Sequence, residues 1–320
     1  LAEAEKKKPS QSRPAVNATD IYRNRLAATC WVRPTATEGR TAGWIIDKQR
    51  KLILTTATGA GSSDLVDVLF PLFAKDELVA EANAYTDRIG LRQHGQLVRG
   101  LVLMRDPRRD LALIELESIP QNMAELALAK KEALPAEKVH VVSHPNGVEL
   151  LWLYSAGAVR QTANIELVRS SNGEALKPRT LLLQIPHQAG SAGGPVVNER
   201  GELVGMLSVK EATQQQLGYA IGATEVETFQ QAARPLVQPQ KVEEDLQRGK
   251  LLLSRGDLDG GDSFTAALKF EGRQLMVARE IFDAFLRVGQ LNRVVGFVEA
   301  TLMKSVELED QARCAVALSI

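Results

Sequence analysis

At 320 residues, with 44% hydrophobic and 24% charged residues, the chain has the make-up of a globular protein of about two domains. Its 39 Lys and Arg balance its 39 Asp and Glu, which argues against a nucleic-acid or other polyanion binder, because phosphate binding needs a concentrated basic face. No run of about 18 apolar residues occurs, so no segment reads as a membrane-spanning helix.

Residues 1–19, LAEAEKKKPSQSRPAVNAT, read as a polar N-terminal tail. From 20 to 232 the texture is β. Short apolar runs recur between turn residues: TAGWIID, KLILTTA, VDVLFP, LVRGLVLM, LALIEL, KVHVVS, GPVVN, ELVGMLSV and LGYAIG. Many short strands at this spacing predict an all-β barrel or sandwich. WIIDKQRKLIL and VVNERGELVGML read as hairpins, the second with Gly201 at a position that favours positive φ. Residues 71–84 read either as a short helical insertion or as a long loop.

The segment ARPLVQPQK (233–241) carries two prolines and reads as an extended linker. From 242 to 320 apolar residues recur at three and four, which predicts four or five short helices in antiparallel hairpins. The pair GKLLLSRGDLDGGDSFTAAL loosely resembles a tetratricopeptide helix pair through Gly249, Leu252, Gly256, Phe264 and Ala267. The spacing is one residue short in the second helix, Gly260 and Gly261 replace its usual small helix former, and the later helices do not repeat the pattern. A helical repeat and a plain bundle both remain open. The first residue is Leu and the last segment, ARCAVALSI, is still apolar, so a processed or truncated chain is expected.

Two cysteines, Cys30 and Cys314, are too few for a disulfide framework and are expected as buried free thiols. Neither has a Cys or His partner at ligand spacing, and no metal or cofactor is expected.

Three stretches carry the chemistry. LILTTATGAG (52–61) runs from a strand into a turn of small residues. RRDLALIEL (108–116) is a charged turn, an Asp, then a strand. QAGSAGGPVVNERGELVGMLS (188–208) is a glycine-rich loop followed by a hairpin. Their order and spacing, with GYAIGATEVETF (218–229) behind them, resemble the trypsin-like serine proteases, in particular the HtrA-like branch. The resemblance spans about 200 residues and implies two six-stranded antiparallel β-barrels with a site in the cleft between them, ahead of the all-α segment.

It also implies roles. Asp110 matches the Asp that holds the catalytic His in its working tautomer. The His position falls on Thr58 and the nucleophile position on Ala192. Gly190, Ser191 and Ala192 match the oxyanion-hole loop, whose donors are backbone amides. Leu207, Ser208 and Val209 match the strand edge that pairs with an extended peptide, and His187 falls in a segment lining the family's specificity pocket, either in the pocket or in its wall. Acyl transfer needs a hydroxyl or thiol nucleophile and a base for its proton. Ala192 has no such group, and Thr58 cannot serve as a base near neutral pH.

The expectation is a catalytically degenerate pseudoprotease that binds a protein or peptide, with Asp110 a hydrogen-bonded structural acid. The alternative is a serine endopeptidase-like hydrolase with residual activity, Ser191 being one residue from the nucleophile's place. His94 reads as a loop residue, His140 as half-exposed on a strand, and His144 as part of a turn; none falls at the base position. Membership of a larger assembly and homo-oligomerisation are both open. The resemblance further implies a periplasmic, cell-envelope or secreted location. A peptide-binding PDZ module commonly follows this domain in the family; here helices stand in its place.

Overall fold

The computed structural model describes residues 17–34, 40–167, 176–186, 190–211, 217–256, 260–270 and 272–297. In chain order the elements are α1 (Ala18–Leu26), β1 (Thr29–Pro34), β2 (Thr41–Asp47), β3 (Leu52–Thr55), α2 (Ala57–Ala60) and β4 (Leu65–Leu69). Then come β5 (Leu72–Ala74), β6 (Glu77–Val79), a 3₁₀ turn at Ala82–Tyr85, α3 (Arg88–Gln93), β7 (Leu97–Asp106) and β8 (Leu111–Leu116). The second half holds β9 (Lys138–Ser143), β10 (Leu153–Asn164), β11 (Arg179–Gln184), β12 (Pro195–Asn198), β13 (Leu203–Glu211) and β14 (Gly218–Gly222). Five helices follow: α4 (Ala223–Val237), α5 (Val242–Ser254), α6 (Gly260–Leu268), α7 (Gln274–Arg287) and α8 (Leu291–Phe297).

The strands close into two antiparallel barrels of six, in the orders β1-β2-β3-β8-β7-β4 and β10-β11-β14-β13-β12-β9. This is the double barrel that the resemblance implied, followed by helices. The apolar runs are continuous rather than alternating because both faces of the inner strands are buried. On β3, Ile53 points into the first barrel, while Leu52 and Leu54 join a core shared with the second barrel and α4. On β8, Ala112, Ile114 and Leu116 fill the barrel, and Leu111 and Leu113 face that shared core. Trp44, Met206, Ile221 and Phe229 complete it. Burying such a side chain contributes about 1.5–3 kcal/mol each, so the seam between the barrels is as much a core as either interior.

Several elements differ from the sequence reading. The β texture begins at Thr29; before it lies α1, capped by the Asn17 side chain on Thr19 N–H at 3.2 Å, so residues 18 and 19 are helical rather than tail. Residues 1–16 lie outside the described residues. The 71–84 stretch is a hairpin of β5 and β6 ending in the 3₁₀ turn. Its two-residue turn is Lys75–Asp76, with φ of +51° and +66°, the pair of positive angles that a type I′ turn needs. The predicted 233–241 linker is helical through Val237, with Pro235 inside α4. Burial of Ala233 in the shared core, and of Leu236, overrides the proline's lost amide. Gly201 does have positive φ, +75°. Cys30 is buried and free, and burial pushes its thiol pKa up, so it is poorly reactive; Cys314 lies outside the described residues.

The helical segment packs in a chain of neighbours: α5 against α6 and α7, α6 against α7, and α7 against α8. Its core gathers Leu246, Leu253, Phe264, Ala267, Ile281, Phe285 and Phe297. Phe264 packs against Gly249: a Cβ there would sit 2.5 Å from its ring. Gly249→Ala is therefore expected to destabilise the α5–α6 pair by about 1–3 kcal/mol through overpacking, despite alanine's better helix propensity. Urea unfolding of the two proteins measures it.

Candidate functional site

The three stretches singled out in the sequence meet between the barrels. Thr58 lies on α2, the single helical turn after β3, and its side chain is exposed. Asp110 is buried at the start of β8 with φ of +57°, an uncommon angle for a residue with a side chain. Its Oδ1 accepts the Thr58 N–H at 2.8 Å. The carboxylate thus anchors the α2 backbone, whatever side chain Thr58 carries.

Ala192 lies across the seam, with its carbonyl locked to the first barrel. Ala42 N–H donates to it at 2.8 Å and Thr41 Oγ1 at 2.9 Å. Thr41 Oγ1 is 3.4 Å from Thr56 Oγ1, which caps α2 by accepting Gly59 N–H at 3.1 Å. An unbroken polar path therefore runs from the Ala192 loop through Thr41 and Thr56 to α2, and α2 is tied to Asp110. The Ala192 methyl carries no proton to exchange. Ser191 beside it is buried, 3% exposed, so its hydroxyl is not presented to solvent.

The loop requires glycine at two places. At Gly193, φ is +83° and a Cβ would fall 1.9 Å from the Ala42 carbonyl oxygen. At Gly190, φ is +91° and a Cβ would meet the His144 carbonyl at 2.5 Å. No other residue fits either angle and space. Among the described residues, the Gly190 and Ala192 amides donate to no backbone carbonyl.

Behind the loop, both backbone groups of Leu207 are engaged: its carbonyl accepts Gly193 N–H at 2.8 Å and its N–H donates to Gly194 at 2.9 Å. Pairing between β13 and β14 then breaks register between Leu207 and Glu211. Ser208 and Val209 fall in this interval; Ser208 is buried. His187 lies outside the described residues.

The other histidines are structural in setting. His94 is exposed at the C-terminal end of α3, with Nδ1 2.7 Å from the Gly90 carbonyl. His140 on β9 is buried rather than half-exposed, stacked on Tyr154 and within 2.7 Å of its hydroxyl. His144 is fully buried just after β9 and edge-on to Trp152 at 4.5 Å. Its Nδ1 accepts Trp152 N–H at 3.2 Å, leaving Nε2–H to donate to the Cys30 carbonyl, also at 3.2 Å. That pair is satisfied only by the neutral ring, since a proton on Nδ1 would face another N–H. Burial, together with the Arg40 charge, holds the pKa down at about 3. The sequence offered no signal for this, because HPN reads as a turn.

A profile of the trypsin-like peptidase domain matches residues 41–206, more than half of the chain. Two proteins described as "Serine protease HtrA-like", from two strains of Staphylococcus epidermidis, are 26% identical over 117 residues, 35% of this chain and 20% of theirs. The chain thus aligns with about a fifth of the length of these relatives. Among solved structures, the inactive serine-to-alanine mutant of Rv3671c from M. tuberculosis H37Rv superposes with a TM-score of 0.52 at 18% identity, covering 72% of this chain and 97% of that one. The serine endoprotease from Yersinia pestis gives 0.51 at 17% identity, over 68% and 66%. At these identities the likeness is one of fold.

The folded His144 titrates near 3 and the unfolded one near 6.5, so its share of stability is complete above 6.5 and falls away toward 3. Between pH 7 and pH 5 the protein is expected to lose up to about 2 kcal/mol on this account, at about 1.4 kcal/mol per pH unit below 6.5. His144→Gln, which does not titrate, should remove that part of the slope. Denaturant unfolding at the two pH values, followed by tryptophan fluorescence, checks it.

Proposed function

The chain belongs to the trypsin-like peptidase domain family, and from that premise we propose that it binds an extended polypeptide in its inter-barrel cleft without cleaving it. The observation that carries this reading is the Asp110–Thr58 contact. The carboxylate holds the backbone of the residue at the family's base position, at 2.8 Å, and that residue is a threonine. Across the seam, the residue at the nucleophile position is Ala192. General base and nucleophile are both missing, while the elements that position them are kept.

What remains is suited to binding. The Gly190 and Ala192 amides are donors for a carbonyl oxygen. The interval after Leu207, where β13 leaves β14, is an edge for an added strand, with Ser208 and Val209 as its residues. The alternative, a residual hydrolase working through Ser191, is disfavoured by that residue's burial.

The helical segment from Val242 is a second protein-interaction surface in this proposal, built as a tetratricopeptide-like array. Its support is the neighbour order of α5 to α8 and the close seat of Phe264 on Gly249. The partner class is an unstructured protein segment, met in the periplasm, cell envelope or outside the cell, as the family resemblance suggests.

A fluorophosphonate probe is expected to leave the protein unlabelled. The double variant Thr58→His, Ala192→Ser is expected to label at least about 100-fold faster than either single variant, since base and nucleophile act as a unit. Wild-type labelling that disappears in Ser191→Ala would overturn the proposal in favour of the hydrolase.

A further inference from the structure

A second concave surface lies away from the inter-barrel cleft, where the first barrel meets the C-terminal end of α5. It is a cavity of about 440 Å³, walled by Arg88 and Arg92 of α3, Arg99 of β7 and Arg255 at the end of α5, with Asp64 and Asp67 between them. Four guanidiniums face two carboxylates, and neither lysine nor an aromatic ring is among the lining residues. In a chain of zero net charge, this is a marked local excess.

The two aspartates do not absorb that charge. Asp67, buried on β4, is claimed by Arg88 in direct contact and by Arg92 at 3.6 Å. Asp64 is shared at 3.4 Å by Arg255 and by Arg105, which is not among the cavity's lining residues. Each carboxylate therefore serves two arginines. Arg99 sits beside Asp67 in the strand register and is exposed, and among the described residues its side chain makes no ion pair or hydrogen bond. Arg255 has a buried Nη1 with no hydrogen-bond partner. Burial lowers its pKa against the opposing pull of Asp64, and the neighbouring Arg105 charge lowers it further.

We propose that this arginine cleft binds a compact, multiply charged oxyanion of the phosphate class. Arginine presents planar forks of donors that match phosphate oxygens, where lysine would offer a point charge. The concave wall suits a single compact group better than an extended acidic peptide. No aromatic ring lines the cavity, and the guanidiniums are the groups that would meet a ligand's phosphate, so the recognised part is the phosphate itself. Because Arg255 ends α5 while Arg88, Arg92 and Arg99 belong to the barrel side, a bound oxyanion would also bridge the helical segment to the first barrel.

The test uses the full chain at constant ionic strength. Sodium pyrophosphate is titrated calorimetrically, and phosphatidylcholine vesicles with and without phosphatidic acid are sedimented with the protein. Arg99→Gln and Arg92→Gln, whose side chains are solvent-exposed, are compared with Arg160→Gln on the far barrel as a charge-matched control. Saturable binding of pyrophosphate, weakened about tenfold or more in Arg99→Gln and unchanged in Arg160→Gln, is the expected result. Binding confined to the phosphatidic acid vesicles, with the same dependence on Arg99, supports the same site with a lipid headgroup as the source. No saturable binding in either arm, or equal losses in Arg99→Gln and Arg160→Gln, overturns the proposal. So does binding of an oligoglutamate peptide in preference to pyrophosphate.

Discussion

The carbonyl of Ala192 is the point on which the site depends. It belongs to the second barrel, yet both of its donors, Ala42 N–H and Thr41 Oγ1, belong to the first. Two barrels with separate interiors could in principle slide along their shared apolar seam, because hydrophobic contact is non-directional. Two hydrogen bonds to one oxygen remove that freedom, and they do so at the loop where geometry matters. Gly193 follows from the same constraint. The β2 strand approaches so closely that only a residue without a Cβ leaves room for the Ala42 carbonyl.

Everything that positions the site is written in backbone and in small residues. Asp110 holds an amide, Thr41 and Thr56 bridge through hydroxyls, and Leu207 clasps Gly193 and Gly194 through its main chain. Thr58 and Ala192 take part in these bonds through backbone atoms alone, Thr58 by its N–H and Ala192 by its carbonyl. The contacts that build the cleft are therefore independent of the side chains at those two positions.

The double barrel was legible because its strands are short, apolar and punctuated by turn residues; for the candidate site, the sequence singled out three stretches that the fold brings into contact, Asp110 with Thr58 and Ala192 with Thr41 and Ala42. What escaped the sequence has specific causes. The Lys75–Asp76 turn takes two positive φ angles without glycine or asparagine, so its hairpin carried no turn signature. Helix α1 is polar over most of its length, and only Ile21 and Leu26 are buried, too few to impose a period. Pro235 argued for a linker because propensity is local, whereas the burial of Ala233 and Leu236 that keeps α4 helical is tertiary. His144 looked like a turn residue because its two hydrogen-bond partners, Cys30 and Trp152, are supplied by distant or folded-back chain.

The helical segment is attached by the same combination of apolar burial and directional bonds that joins the barrels. Leu252 of α5 lies in the core that also holds Trp44 and Phe229, so α5 cannot lift away without exposing the seam. Arg248 fixes its direction, donating to both Glu115 oxygens at 2.9 and 3.0 Å and to the carbonyl of Leu236 on α4. A partly buried pair of this kind adds little net stability, because desolvation offsets much of its attraction. Its contribution is orientation: a guanidinium that must satisfy β8 and α4 together admits one placement of α5. Helices held at a fixed angle to the barrels give any ligand that spans the two a preformed geometry, and spare it the ordering cost that a tethered, mobile module would impose.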